Sequence, residues 1–291
     1  MNTLQIGTTT KQVPSTWNEM TRRQLLQVLA HFYGTALNAG WRLEMLSLLT
    51  DFQLPLLCAL ESDVLAQLLP LTDFVLSDDH RLTAQLLPTL RIPGRHWREG
   101  VTTWHGPRAS FSNLTFGEFM FADTFFVQYH LLGQRVRLNN RSTYLDQFLA
   151  VLYRPARRVT VAGGMVEQNA SPTDPDWNGD VRVPFNEHQL ELRTPRVAAL
   201  PEIEKLAVLT WYRGCRAQLA VEFPDVFAMA DEDDKRPQKG PQWEPVLRKL
   251  SGGAFGTVQQ TAGQPARLIL AEMQDLAVQY QERLKAQKAT S

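Results

Sequence analysis

The sequence predicts a mainly α fold: an irregular multi-helix bundle with one or two short β-hairpins and a C-terminal amphipathic helix. Three observations carry this expectation. Apolar residues recur at spacings of three and four through much of the chain, two segments open as capping boxes, and prolines cut the first third into short pieces.

Leu4 to Val13 alternates and suggests a strand. Thr21 and Gln24 then stand in the order of a capping box, with Leu25, Leu26, Leu29, Phe32 and Tyr33 following at helical spacing. Apolar clusters continue from Leu43 to Leu49 and from Leu54 to Leu71. Pro55, Pro70 and Pro88 limit the helices there, because proline lacks the amide donor a helix interior needs. The texture changes at "RIPGRHWREGVTTWHGPRAS", whose glycines, prolines and alternating Val-Thr-Thr-Trp predict a loop with a short hairpin.

"LTFGEFMFADTFFVQYHLL" is the strongest local signal. Thr115 and Glu118 form a capping-box sequence, and Phe119, Ala122, Phe126 and Tyr129 follow at spacings of three and four. Phe111, Phe116, Phe121 and Phe125 place rings on nearly every side, so this helix is expected to be buried almost all round. A second helix begins near Ser142 and stops at Pro155. An irregular stretch runs from about Ala156 to Glu187. Beyond it Pro201, Glu202 and Glu204 suit the first turn of a helix that ends before Pro224. Composition divides the chain into an α-rich body over 1–229, a charged, proline-containing linker over 230–242 and a helical tail over 243–291.

Basic and acidic residues balance at 30 each, which removes the usual electrostatic footprint of a nucleic-acid binder. The 44% hydrophobic content is that of an ordinary globular chain, and the longest apolar zone is broken by Glu61, Asp63, Pro70 and Asp73, so no membrane span is expected. Cys58 and Cys215 show no metal spacing and cannot form a disulfide framework, and "MNTLQIGTTTKQVP" lacks the basic and apolar regions of a secretory signal. A reducing, cytoplasmic setting follows as an expectation.

Several motifs invite chemical readings. Asp174, Asp176, Asn178 and Gly179 fill positions 1, 3, 5 and 6 of a calcium loop, but Phe185 stands where the bidentate glutamate belongs. Asp, Asn, Pro and Gly are also the turn formers, and a turn is the preferred reading. His31, His80, His96, His105, His130 and His188 lack zinc spacing. Neither Ser251–Gly256 nor Val161–Gly164 is a phosphate-binding loop, and Cys215, between Arg213 and Arg216, has no base or orienting group nearby in sequence. Asp78-Asp79 and Asp231–Asp234 lie in polar stretches, where exposed charge is normal. The basic cluster Arg154–Arg158 suits phosphate or an acidic partner, and equally complements the end of its helix. No cofactor or metal is expected.

What remains is interaction surface. Ile269, Met273, Leu276, Tyr280 and Leu284 form one apolar stripe at helical spacing, the candidate partner-binding residues. "WEPVLRKLSGGAFGTVQQTAGQPARLILAEMQDLAVQYQERLKA", with "LTFGEFMFADTFF", "LAVLYRP" and "GDVRVPF", resembles small proteins encoded beside tail tape-measure proteins in phages and prophages of Bacteroidetes-type bacteria. The resemblance implies a chaperone-like tail-assembly factor that holds a long helical protein partner; with the charge balance and the broken apolar zone, the expectation is a non-enzymatic protein without a nucleic-acid or membrane partner. Two other readings stand beside it: a virion structural component, and an enzyme whose site gathers His96, His105, Asp174 and Asp176 in a loop-lined pocket.

Overall fold

The computed structural model describes the chain apart from residues 36, 37, 39, 78–80, 95–99, 134–137, 161–166, 175, 176, 228–242, 254, 290 and 291. The fold is mainly α, with small antiparallel sheets of two or three strands. The chain divides into two compact units, each assembled from separated stretches: Met1–Leu87 with Pro201–Ala217, and Pro88–Leu200 with Gln218–Ser291.

In the first unit, β1 (Asn2–Ile6) and β2 (Thr9–Val13) form a hairpin in which Asn2 faces Val13. The single strand expected over Leu4 to Val13 is therefore two, reversed at Gly7, whose φ of 60° lies in the left-handed region that glycine occupies without strain. Helix α1 (Arg22–Gly34) starts at the expected capping box: Thr21 Oγ1 accepts from Gln24 N, and Gln24 Oε1 accepts from Thr21 N at 2.9 Å. Helices α2 (Trp41–Thr50), α3 (Leu54–Cys58), α4 (Ser62–Leu68) and α5 (Asp73–Leu76) are short; Pro55 sits in the first turn of α3 and Pro70 in the turn that follows α4. Leu46, Phe52, Leu57 and Leu68 form their core, with Leu4 and Ile6 of the hairpin packed against it.

The first part of α9 (Glu202–Glu222) completes this unit. Arg22 donates to Glu204 at 2.9 Å, and Trp211 Nε1 donates to Thr83 O at 3.2 Å. Gly214 lets the loop backbone at Leu82 lie directly against the helix: a Cβ at this position would sit 2.4 Å from Leu82 O.

The second unit is built around α6 (Phe116–Gly133), where Phe116, Phe119, Ala122, Asp123, Phe126 and Tyr129 are all buried, as the aromatic-rich pattern predicts. Burying each phenylalanine contributes roughly 1.5–3 kcal/mol. Helix α7 (Leu138–Leu152) packs on α6, and α8 (Leu190–Ala198) packs on α7. Helix α8 carries Pro195 inside it and is a helix that the sequence expectations did not include. Strands β3 (Thr89–Pro93), β4 (Val101–His105) and β5 (Arg154–Pro155) make a three-stranded antiparallel sheet, and β6 (Arg158–Thr160) pairs with β7 (Glu167–Asn169).

Helices α10 (Trp243–Leu250), α11 (Val258–Gly263) and α12 (Ala266–Ala289) close the unit. Trp243 Nε1 donates to Asp123 Oδ2 at 3.0 Å, and its ring meets Phe119 edge-on at 5.1 Å. Phe116 N donates to Gln264 O and Ala266 N to Leu114 O, both at 2.8 Å. The linker read over 230–242 lies outside the described residues; the chain on either side of it belongs to this same unit.

Candidate functional site

Helix α12 is buried against the second unit along its first half, and polar contacts reach further along it. Ala266, Ile269 and Leu270 are buried, and Arg267 Nε donates to Ser110 O at 3.1 Å and pairs with Glu222. Asp225 N donates to Gln274 Oε1 at 3.0 Å, and Asp225 accepts from Gln274 Nε2 and from Gln281 Nε2. Past Leu270 the apolar stripe leaves the core. Ile269 is fully buried and Met273 half-buried, while Leu276 is 46% and Tyr280 63% exposed. The side chain of Leu284 lies outside the described residues. Leu276 and Tyr280 stand one turn apart on one face, the spacing that makes neighbouring side chains a ridge for another helix. Val278 and Leu268, exposed on other faces of α12, do not extend that ridge.

A second feature of the unit is a buried charge centre formed by residues distant in sequence. Glu118 accepts from Arg154 Nη2 at 2.6 Å through one carboxylate oxygen and from Arg182 Nη2 at 3.0 Å through the other. All three residues are buried. Arg182 is also forked on Asp180, with Nε at 3.0 and 2.9 Å from its two oxygens, and donates through Nη1 to Leu152 O at 2.9 Å. Arg154 donates to Val183 O and Val151 O, each at 2.8 Å. Burial pulls the Arg154 guanidinium below the ordinary arginine range. Burial acts on Arg182 in the same sense, but Glu118 and Asp180 outweigh it and hold Arg182 above that range.

This centre corrects the capping-box expectation at Glu118. Thr115 Oγ1 does accept from Glu118 N, but the Glu118 carboxylate turns inward to the two arginines. Arg154, read as a complement to a helix end, is likewise buried. The local signal that pointed here was a lone glutamate on a helix otherwise apolar on nearly every side, since buried charge is retained only where it is paired.

Of the residues of the enzyme reading, His105 and Asp174 are among those described and His96 and Asp176 are not. Asp174 accepts from Ser171 N, and Asn178 Oδ1 accepts from Asp180 N at 3.1 Å, so these oxygens are turned inward on the chain's own turns. Gly179, at a φ of 86°, makes the reversal, and the chain then runs beside Pro155–Arg157 through an Ala156–Arg182 bridge. His80, His96, Asp176, Asp78-Asp79, Asp231–Asp234 and Val161–Gly164 lie outside the described residues. No group of three or more His, Cys, Asp and Glu side chains among the described residues is arranged to hold a metal. Cys215 is buried in α9 with Sγ 3.8 Å from Thr83 O, a core thiol rather than an exposed one. The Ser251–Gly256 cluster ends α10, with Ser251 N donating to Leu247 O and Gly252 at a φ of 84°.

His105 stands opposite Arg154 in the β4–β5 register. Burial lowers its pKa below the ordinary 6.5; Asp180 works against that shift and Arg182 adds to it. A base whose pKa is depressed on folding binds its proton less readily in the folded chain than in the unfolded one. Its share of stability is complete above pH 6.5 and is lost as pH falls below that value toward the lowered one. Thermal unfolding followed between pH 7 and 5 is therefore expected to fall more steeply for the natural protein than for His105→Gln. Equal slopes would show that His105 does not carry this dependence.

No protein-family model matches the chain, and neither a curated protein nor a solved structure matches it. Among the described residues no helix is long and apolar enough to cross a membrane.

Proposed function

We propose that the protein is a non-enzymatic interaction factor that captures a helical protein partner on the outer half of α12, in the manner of a phage or prophage tail-assembly factor. The observation that carries this reading is the fate of the stripe: fully buried at Ile269, it emerges at Leu276 and Tyr280 as two large side chains one turn apart. Water-exposed ridges of this kind suit the apolar face of an amphipathic helix, which interlocks with them and removes both faces from water. The first half of α12, clamped by Asp225 and Glu222, holds the ridge in place, so little ordering is lost on binding. A long helical tail or tape-measure protein has the chemistry required, and the resemblance of 243–286 to proteins encoded beside such partners supports that choice.

The test is a capture from the native cytosol using the full chain and Leu276→Glu/Tyr280→Glu, with mass spectrometry of what is retained. Because both side chains are largely exposed, the double variant is expected to unfold within about 0.5 kcal/mol of the natural protein. Loss of the two anchors is expected to weaken partner binding by about 2 kcal/mol or more. Melting of the variant together with loss of capture would mean that the stripe is core. Unchanged capture of the same partner would place its binding elsewhere. A truncation at Phe227 cannot serve as the control, since it removes Trp243 and Ile269 from the buried core of the second unit.

A further inference from the structure

Two arginines on α8 carry buried donor atoms that have no acceptor among the described residues. Arg193 and Arg196 lie three positions apart, neighbours on one side of that helix. Arg196 is held by Nη2 donating to Thr102 Oγ1 at 3.0 Å and by the Trp104 ring, whose centroid lies 5.2 Å from its guanidinium carbon. Its Nε is buried without an acceptor. Arg193 is half-buried, and its Nη1 is closed off from solvent with no acceptor at all. Among the described residues neither guanidinium forms an ion pair with a carboxylate.

The surroundings increase the positive charge instead of cancelling it. Glu118 and Asp180 are already matched by Arg154 and Arg182. Arg193 is close enough to Arg154 to feel its charge, and burial together with that repulsion lowers the Arg193 pKa to about 10. A guanidinium that remains charged near neutrality, partly desolvated and repelled by a neighbour, is short of one anion among the described residues.

We infer that Arg193 and Arg196 form a binding site for a phosphoryl group, with the pair of guanidiniums on α8 receiving a doubly charged tetrahedral oxyanion. Two cations call for a dianion, and the planar donor forks of arginine match its oxygens better than a lysine would. Arg196 is fixed in advance by Thr102 and Trp104, so the site has one rigid and one adjustable arm. The site lies on α8, distinct from the α12 ridge, and stands whether or not that ridge binds a partner.

The experiment uses the full chain in a phosphate-free, low-salt buffer at pH 7.5, titrated with inorganic phosphate and, separately, with acetate, at constant ionic strength. Calorimetric titration and thermal unfolding are read together for the natural protein, Arg193→Gln and Arg196→Gln. Phosphate at ten times its Kd is expected to raise the unfolding temperature of the natural protein by about 3 °C. Arg193→Gln is expected to weaken phosphate binding about tenfold or more. Without phosphate the same variant is expected to unfold at an equal or higher temperature, because it deletes a repelled charge; an arginine serving only the fold would show a drop. Three results would each overturn the assignment: no phosphate-dependent shift, a shift unchanged in both variants, or acetate acting as strongly as phosphate.

Discussion

Glu118→Ala is expected to destabilise the second unit by about 3–5 kcal/mol, the cost of leaving buried charge without its partner. Glu118, Arg154 and Arg182 are each no more than 2% exposed. Removing the carboxylate leaves two guanidiniums facing each other across a space that water does not reach, and neither can be neutralised by losing a proton near neutral pH. Asp180 compensates one of them only, since it forks onto Arg182. Urea unfolding followed by tryptophan fluorescence measures the loss. Glu118→Gln keeps the shape and two polar atoms but not the charge, and is expected to fall between the natural protein and the alanine variant. A triple variant with Glu118, Arg154 and Arg182 all replaced by apolar residues of similar volume separates the causes. If it recovers most of the loss, the penalty belonged to the unpaired charge and not to a cavity. A loss below about 1 kcal/mol for Glu118→Ala would mean that water reaches the centre.

Gly214→Ala is expected to destabilise the first unit by about 1–3 kcal/mol, against the direction that helix propensity alone dictates. In an open helix the exchange of glycine for alanine gains about 1 kcal/mol. Here the added Cβ meets Leu82 O at 2.4 Å and Leu82 C and N at 2.8 Å, all main-chain atoms that no rotamer change can move aside. Gly34, at the end of α1 with nothing within 4 Å of its Cβ position, provides the control, and the same exchange there is expected to be neutral or stabilising. Thermal unfolding of the two variants side by side checks the sign. Stabilisation at both positions would show that the Leu82 loop yields freely.

Both predictions rest on contacts that the sequence leaves unmarked, and the reason is the same in each case. Helical spacing, capping and proline punctuation act within a few residues. They made α1 readable from Thr21 and Gln24, α6 from its phenylalanines, and α9 from Pro201 and the two glutamates after it. The approach of Leu82 to Gly214, or of Arg182 to Glu118, joins residues far apart in the chain, and no local period records it. Helix α8 went unread for a related reason: tertiary packing of Leu190 and Val197 holds it together despite the amide donor missing at Pro195. Gly7 carried too weak a turn signal to split Leu4–Val13 into two strands. The candidate stripe was legible from spacing alone. Spacing did not show where the core ends along it, and only the burial of Ile269 against the exposure of Leu276 and Tyr280 marks that point.

The short clasp between Leu114–Phe116 and Gln264–Ala266 bears on how this chain is made. During synthesis α6 emerges long before the strand-like segment that hydrogen-bonds its start, and before Trp243 and Ile269, which cover its rings and help close its core. The first unit also waits, for Trp211 to reach Thr83. Neither unit can finish before the chain beyond Pro201 has been made, so the nascent chain leaves Phe116, Phe119 and Phe126 uncovered until then. Yield is therefore expected to respond to the elongation rate between α7 and α12, a property set by the order of the elements and not by the stability of the finished molecule.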